Sequence, residues 1–180
     1  MRICFLCSPV LLVLACASTA SSPDTLDAGA APVVSGAIAT VQSNAGVAGT
    51  VEFVPEGEMV RVKVELTGLE PGPHGFHIHE SGDCSAEDFT SAGGHFNPHE
   101  RQHGSRSDDQ RHAGDFGNVD ASADGVVSVE LEMDVVLDPA AGDSVIGKAV
   151  IVHANADDLK SQPSGAAGPR VACGVISPAV

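Results

Sequence analysis

The sequence predicts an all-β domain: an eight-stranded antiparallel Greek-key barrel or sandwich with two long functional loops. Three observations carry this. Short segments alternate apolar and polar residues with period two, turn signals separate them, and no stretch of ten or more residues keeps a helical period. Composition agrees. Gly (20) and Val abound and the 3% aromatic content is all Phe, which suits a chain of strands and turns over a helical bundle. At 180 residues the chain is long enough for one domain with a full core.

Residues 1–16, MRICFLCSPVLLVLAC, set one Arg before an apolar run too short to span a bilayer, the pattern of a secretory signal peptide. Its end, Val13-Leu14-Ala15-Cys16, resembles a bacterial lipobox, in which Cys16 is lipidated and becomes the first mature residue. Ordinary cleavage after an A-x-A site such as Ala15-Cys16-Ala17, or after Ala20, is the other reading. Residues 17–32, ASTASSPDTLDAGAAP, carry almost no large apolar side chain and read as a flexible linker. The folded domain is expected at 33–180. The expected location is therefore exported: periplasmic, or a membrane-anchored lipoprotein on the extracytoplasmic side, touching membrane only through that lipid anchor.

Within the domain, strands are expected at Val33–Gln42, Gly49–Val54, Met59–Leu66, Gly75–Glu80, Val126–Met133, Ser144–His153 and Val171–Ile176. Met59–Leu66 is the clearest, with Val60, Val62, Val64 and Leu66 on one face and Arg61, Lys63 and Glu65 on the other. Val126–Met133 repeats the pattern with Val127, Val129, Leu131 and Met133 inward, after an Asp124-Gly125 turn. Two stretches read as neither strand nor helix: about Ser81 to Asp115, and Ala154 to Pro169. Loops this long in a compact domain are usually functional.

The net charge of −15 excludes nucleic acid as a partner, because phosphate binding needs a basic face. Three of the five cysteines, Cys4, Cys7 and Cys16, lie in the leader, which leaves the pair Cys84 and Cys173 in the domain.

Six of the eight histidines fall between His77 and Asp115. His77 and His79 sit two apart on an expected strand and share a face, so both imidazoles can reach one metal. His153 ends another strand and can close such a site. His95, His103, His112 and Asp115 form a second set inside the long loop. Four N/O donors without thiolate suit a closed tetrahedral zinc site. His74, in Pro71-Gly72-Pro73-His74-Gly75, reads as a structural turn histidine, and His99 as a loop residue.

These motifs resemble the copper–zinc superoxide dismutases. Gly75-Phe76-His77-Ile78-His79-Glu80 is similar to the family's first copper motif, and Gly94-His95-Phe96-Asn97-Pro98 to its bridging-histidine motif. Arg111-His112-Ala113-Gly114-Asp115 with Gly117-Asn118 resembles its zinc segment, Val152-His153 with Ala156-Asp157-Asp158-Leu159 its last copper ligand, and Arg170-Val171-Ala172-Cys173-Gly174-Val175 its C-terminal signature. The likeness spans Val33 to Ile176. The GDCSAEDFTSAGGHFNP form and the short second loop look more like bacterial members than animal ones.

The resemblance implies one copper ion on His77, His79, His95 and His153, and one zinc ion on His95, His103, His112 and Asp115, with His95 bridging them. It implies Asp157 linking a copper ligand to a zinc ligand by hydrogen bonds, a Cys84–Cys173 disulfide, and Arg170 beside copper as the anion's contact, with Lys160 as a further guiding charge. The implied activity is dismutation of superoxide, the small anionic substrate, by Cu(II)/Cu(I) cycling, with the His95–copper bond breaking and re-forming. Homodimer and monomer both occur among such proteins. The competing reading is a copper-binding or copper-delivering protein of the same fold.

Overall fold

The structure is a computed structural model and describes residues 34–179. The expected signal peptide, Cys16, the linker and Val33 lie outside the described residues. Eight strands follow in order: β1 (Ala37–Gln42), β2 (Ala48–Glu56), β3 (Met59–Thr67), β4 (Gly72–His79), β5 (Asp115–Ala121), β6 (Val127–Met133), β7 (Ala149–His153) and β8 (Arg170–Pro178). A single 3-10 turn, Thr90–Ala92, lies between β4 and β5.

All pairings are antiparallel, in the order β5-β4-β7-β8-β1-β2-β3-β6. The two outermost strands, β5 and β6, are consecutive in the chain. A tight turn joins them, with Ser122 N–H donating to Val126 O at 2.9 Å and Gly125 at φ 73°. The sheet therefore curls until its edges meet, and a nearly closed barrel results. Closure removes the exposed strand edges that would otherwise pair with other chains.

The period-two reading of β3 holds: Val60, Val62, Val64 and Leu66 are buried, and Arg61, Lys63 and Glu65 face out. In β6, Val127, Leu131 and Met133 are buried and Val129 is half-buried. These side chains join Phe53, Phe76 and Phe116 in the barrel core.

Several boundaries differ from expectation: β1 begins at Ala37, with residues 34–36 outside it, and β2 and β8 run longer than expected. β4 begins at Gly72, so Gly72-Pro73-His74-Gly75 is strand, with Pro73 exposed opposite Asp120 and His74 opposite Val119. Of the segment 144–148, Ser144 makes only an isolated bridge with Val136 and 146–147 turn, so strand begins only at Ala149. β5 has no counterpart in the sequence reading. Its DFGNVDA lacks clean alternation, because Gly117 takes φ 76° and the register against β4 shifts between Gly75 and His77.

β4 and β7 position the site. A strand with one wet face would alternate in burial, but His74–His79 and all of Ala149–His153 are buried. Phe76, Ile78, Val150 and Val152 point into the barrel core. The opposite faces are covered by the two long loops, 80–114 and 154–169. Under the first loop a second, small core forms from Phe89, Ala92, Ala149, Ile151 and Cys173. The Cys84–Cys173 disulfide fastens that loop to β8.

Candidate metal centre

His77 and His79 leave β4 on the face turned away from the barrel core, and His153 ends the neighbouring β7. His95 reaches them because the loop folds back along β4. Phe96 N–H donates to Ile78 O at 2.8 Å and Glu80 N–H to Gly94 O at 2.9 Å, which sets His95 opposite His79. On the same stretch Ile78 N–H donates to Gly114 O at 2.9 Å. Gly114 is required there: a Cβ at that position would lie 2.2 Å from Ile78 O.

Two donor clusters result, and His95 belongs to both. The four-histidine cluster is His77, His79, His95 and His153. The carboxylate cluster is His95, His103, His112 and Asp115. Within each, the ligand atoms lie within 4.8 Å of one another, and every member is buried.

In the four-histidine cluster, one nitrogen of each ring is tied outward. His77 Nε2–H donates to Asp157 Oδ2 at 2.8 Å, His79 Nδ1–H to Gly93 O at 2.9 Å, and His153 Nδ1–H to Gly168 O at 3.0 Å. The opposite nitrogens, His77 Nδ1, His79 Nε2 and His153 Nε2, converge with His95 Nε2, and all four are buried without a hydrogen-bond partner. Buried unpartnered polar atoms are costly, so four lone pairs aimed at one point fit a metal ion. Burial dominates their protonation. Desolvation outweighs the hydrogen bond to Asp157 and lowers the His77 pKa to about 3. It lowers His79 to about 2 and His153 to about 4. The rings are therefore neutral and able to ligate near pH 7.

In the carboxylate cluster three Nδ1 atoms surround one oxygen. His95 lies 2.8 Å, His103 2.9 Å and His112 3.2 Å from Asp115 Oδ1. Ligands about 2.0–2.1 Å from zinc at tetrahedral corners stand ~3.3 Å apart, so this spacing suits a closed four-coordinate ion. Asp115 Oδ2 accepts from the main-chain N–H groups of Gly104 and His112, both at 3.0 Å. Burial works to raise the Asp115 carboxyl, but the three imidazoles outweigh it and hold the pKa well below the usual carboxylate range.

Asp157 joins the clusters as expected for it. Its Oδ2 meets His77, and its Oδ1 meets His103 Nε2 at 3.0 Å. Gly165 permits this approach: at φ 66°, a Cβ there would stand 1.7 Å from Asp157 Oδ1. Burial alone would lower the pKa of His103, yet its two carboxylate neighbours together raise it to about 9. A prediction follows from that proton. At pH 7 metal-free His103 holds protons on both nitrogens, and a metal needs the Nδ1 lone pair. Zinc uptake should release about one proton from His103 at pH 7, falling toward none as pH rises through 9. Calorimetry in buffers of different ionisation enthalpy measures this. Release that stays constant to pH 10 would overturn it.

The four-histidine cluster opens on a cleft of about 420 Å³, lined by His79, His95, His153, Asn97, Pro163 and Arg170 among others. Arg170 is the only Arg or Lys in that lining. Its guanidinium donates to Phe89 O at 2.5 Å and Gly93 O at 2.6 Å. Gly93 O thus accepts from both Arg170 and His79. Lys160 is exposed and does not line the cleft.

Of the two remaining histidines, His74 is buried, with Nδ1 2.7 Å from His153 O and Nε2 2.7 Å from Glu70 O, a structural role. His99 lies outside both clusters, 3.9 Å from Asp143. The residues without an individual sequence signal were Gly165 and Gln162, whose parts depend on contacts across the two loops.

A family model described as copper/zinc superoxide dismutase (SODC) matches residues 47–176. The chain is 44% identical over 147 residues to superoxide dismutase [Cu-Zn] 2 of Mesembryanthemum crystallinum, covering 78% of this chain and 93% of that protein. Among solved structures it is similar to the clock protein EA4, with a TM-score of 0.74, 38% identity, and coverage of 81% of this chain and 95% of that one. With the two donor clusters sharing His95 on the outer face of an eight-stranded barrel, the chain belongs to the copper/zinc superoxide dismutase family.

Proposed function

We propose that the protein converts two superoxide anions and two protons to dioxygen and hydrogen peroxide, with copper on His77, His79, His95 and His153 and zinc on His95, His103, His112 and Asp115. One observation carries the assignment: the His95 ring places Nδ1 2.8 Å from Asp115 and Nε2, unpartnered, in the four-histidine cluster. A single imidazole so shared ties the two sites together. Bound copper supplies a one-electron Cu(II)/Cu(I) couple, which zinc cannot.

The residues divide the remaining work. The carboxylate cluster is the zinc site because four protein donors including Asp115 close it, whereas the equally four-membered histidine cluster opens on the cleft that a substrate can enter. Asp115 and Asp157 fix the orientation of His95, His103 and His77. His95 Nε2 lies on the cleft side, where the ring can take up and give back a proton while Nδ1 stays held. Arg170, fixed by two carbonyls, offers positive charge to an anion entering a protein of net charge −15.

Arg170→Ala should retain both metals and lower kcat/KM by about 10- to 100-fold, the worth of a lost charged hydrogen bond. The remaining rate should also depend less on ionic strength. Stopped-flow superoxide decay with metal analysis checks both. The central test compares the protein loaded with copper and zinc against protein loaded with zinc alone. Copper-dependent turnover supports the enzyme, and tight copper binding without turnover favours a delivery protein.

The setting we propose is extracytoplasmic. A disulfide persists in an oxidising compartment, and residues 1–16 have the composition of an export signal with Cys16 as its candidate lipid anchor. Metabolic labelling with a radiolabelled fatty acid, compared between the native chain and Cys16→Ser, tests the anchor.

A further inference from the structure

The seven ligands are not held alike. His77, His79, His153 and Asp115 lie in strands, and His95 sits opposite His79 in an isolated bridge. His103 lies in an irregular stretch with no strand partner. Among the described residues, its main chain is bonded by one side chain, 59 positions away. His103 N–H donates to Gln162 Oε1 at 2.9 Å, and Gln162 Nε2–H donates to His103 O at 2.9 Å. A primary amide presents one acceptor and one donor side by side, as a neighbouring strand would. Two other amides do the same in this region. Asn118 pairs with Asp157 N–H at 2.7 Å and Asp157 O at 2.9 Å, and Asn97 with Arg101 N–H at 3.0 Å and Arg101 O at 2.9 Å.

We infer that Gln162 is a positioning residue for the metal of the carboxylate cluster: its amide fixes the main chain of His103 and sets how firmly that ion is kept. The inference rests on the zinc reading above. The second loop then holds His103 at two points, the ring through Asp157 and the backbone through Gln162. Gln162 itself is exposed, at the rim, so its substitution does not disturb the barrel core.

The test uses the full protein loaded with copper and zinc, mixed with excess 4-(2-pyridylazo)resorcinol to follow zinc release. Gln162→Ala should release zinc about tenfold faster, the lower end of what losing an outer partner of a ligand costs. Copper release should keep its native rate. Gln162→Met, which keeps the length and neither bond, should match Gln162→Ala. Gln162→Glu, which keeps the acceptor and loses the donor, should fall between. Cobalt(II) in place of zinc gives a second readout, since its visible bands should shift in the Ala and Met variants. Native zinc release in both variants would overturn the inference. So would equal acceleration of zinc and copper release, which marks a general loosening of the loop. A native protein that takes up no zinc would instead overturn the assignment of the carboxylate cluster, and this inference with it.

Discussion

His77→Ala is expected to lower superoxide dismutation by more than ~100-fold while the barrel still folds and zinc is still bound. The factor is a floor, because losing even an outer partner of a ligand costs about 10–100-fold in affinity or activity. His77 is fully buried, its ring centre lies 4.0 Å from that of His95, and its Nδ1 is one of four lone pairs aimed at one point. Alanine leaves three. The barrel should survive, because β4 contributes Phe76 and Ile78 to the core from its other face. Zinc should be retained because His77 is no part of the carboxylate cluster, and Asp157 still meets His103. Metal analysis beside stopped-flow assay separates these outcomes. A variant that loses copper but keeps its rate would place the chemistry elsewhere.

Opening the Cys84–Cys173 bridge is expected to cost the metal-free protein ~4–5 kcal/mol of stability. The bridge spans 89 positions, and in the chain-entropy treatment a crosslink closing a loop of that size removes about this much freedom from the unfolded chain. Against a typical total of ~5–15 kcal/mol, that is a large share. Metal-free protein is the right reference, since bound ions add stability by mass action. Denaturant midpoints of the oxidised form and of Cys84→Ser/Cys173→Ser measure the difference. A loss under about 1 kcal/mol would mean that the small core around Phe89 and Ile151 holds the loop unaided. In the loaded protein the same change should weaken the seat of Arg170, because Phe89 O, one of its two acceptors, belongs to the loop that the bridge fastens.

The barrel was legible where burial is one-sided. β3 and β6 could be read residue by residue because each keeps one wet face. β4 and β7 could not, since loops cover their outer faces and erase the alternation, and β5 was missed because Gly117 and a register shift break its period. The members of the two donor clusters were legible because histidine crowding is a compositional signal, and their grouping through family motifs. The two loops were placed almost to the residue, from His79 to Asp115 and from His153 to Arg170. Contacts between those loops were not legible. Gln162 on His103, Gly165 against Asp157 and Arg170 on Gly93 join positions that no local pattern relates.

The division of ligands between strands and loops has a consequence for the order of assembly. His77, His79, His153 and Asp115 are set once β4, β5 and β7 pair, while His95, His103 and His112 arrive on the long loop. A folded barrel therefore presents three of the four donors of the four-histidine cluster, but only Asp115 of the carboxylate cluster, before the loops dock. Loop closure costs only about 0.6 kcal/mol more for each doubling of length, so long loops are cheap to leave open and cheap to close. The four-histidine cluster thus nears completion with the barrel itself, and the carboxylate cluster is completed only when the first loop docks.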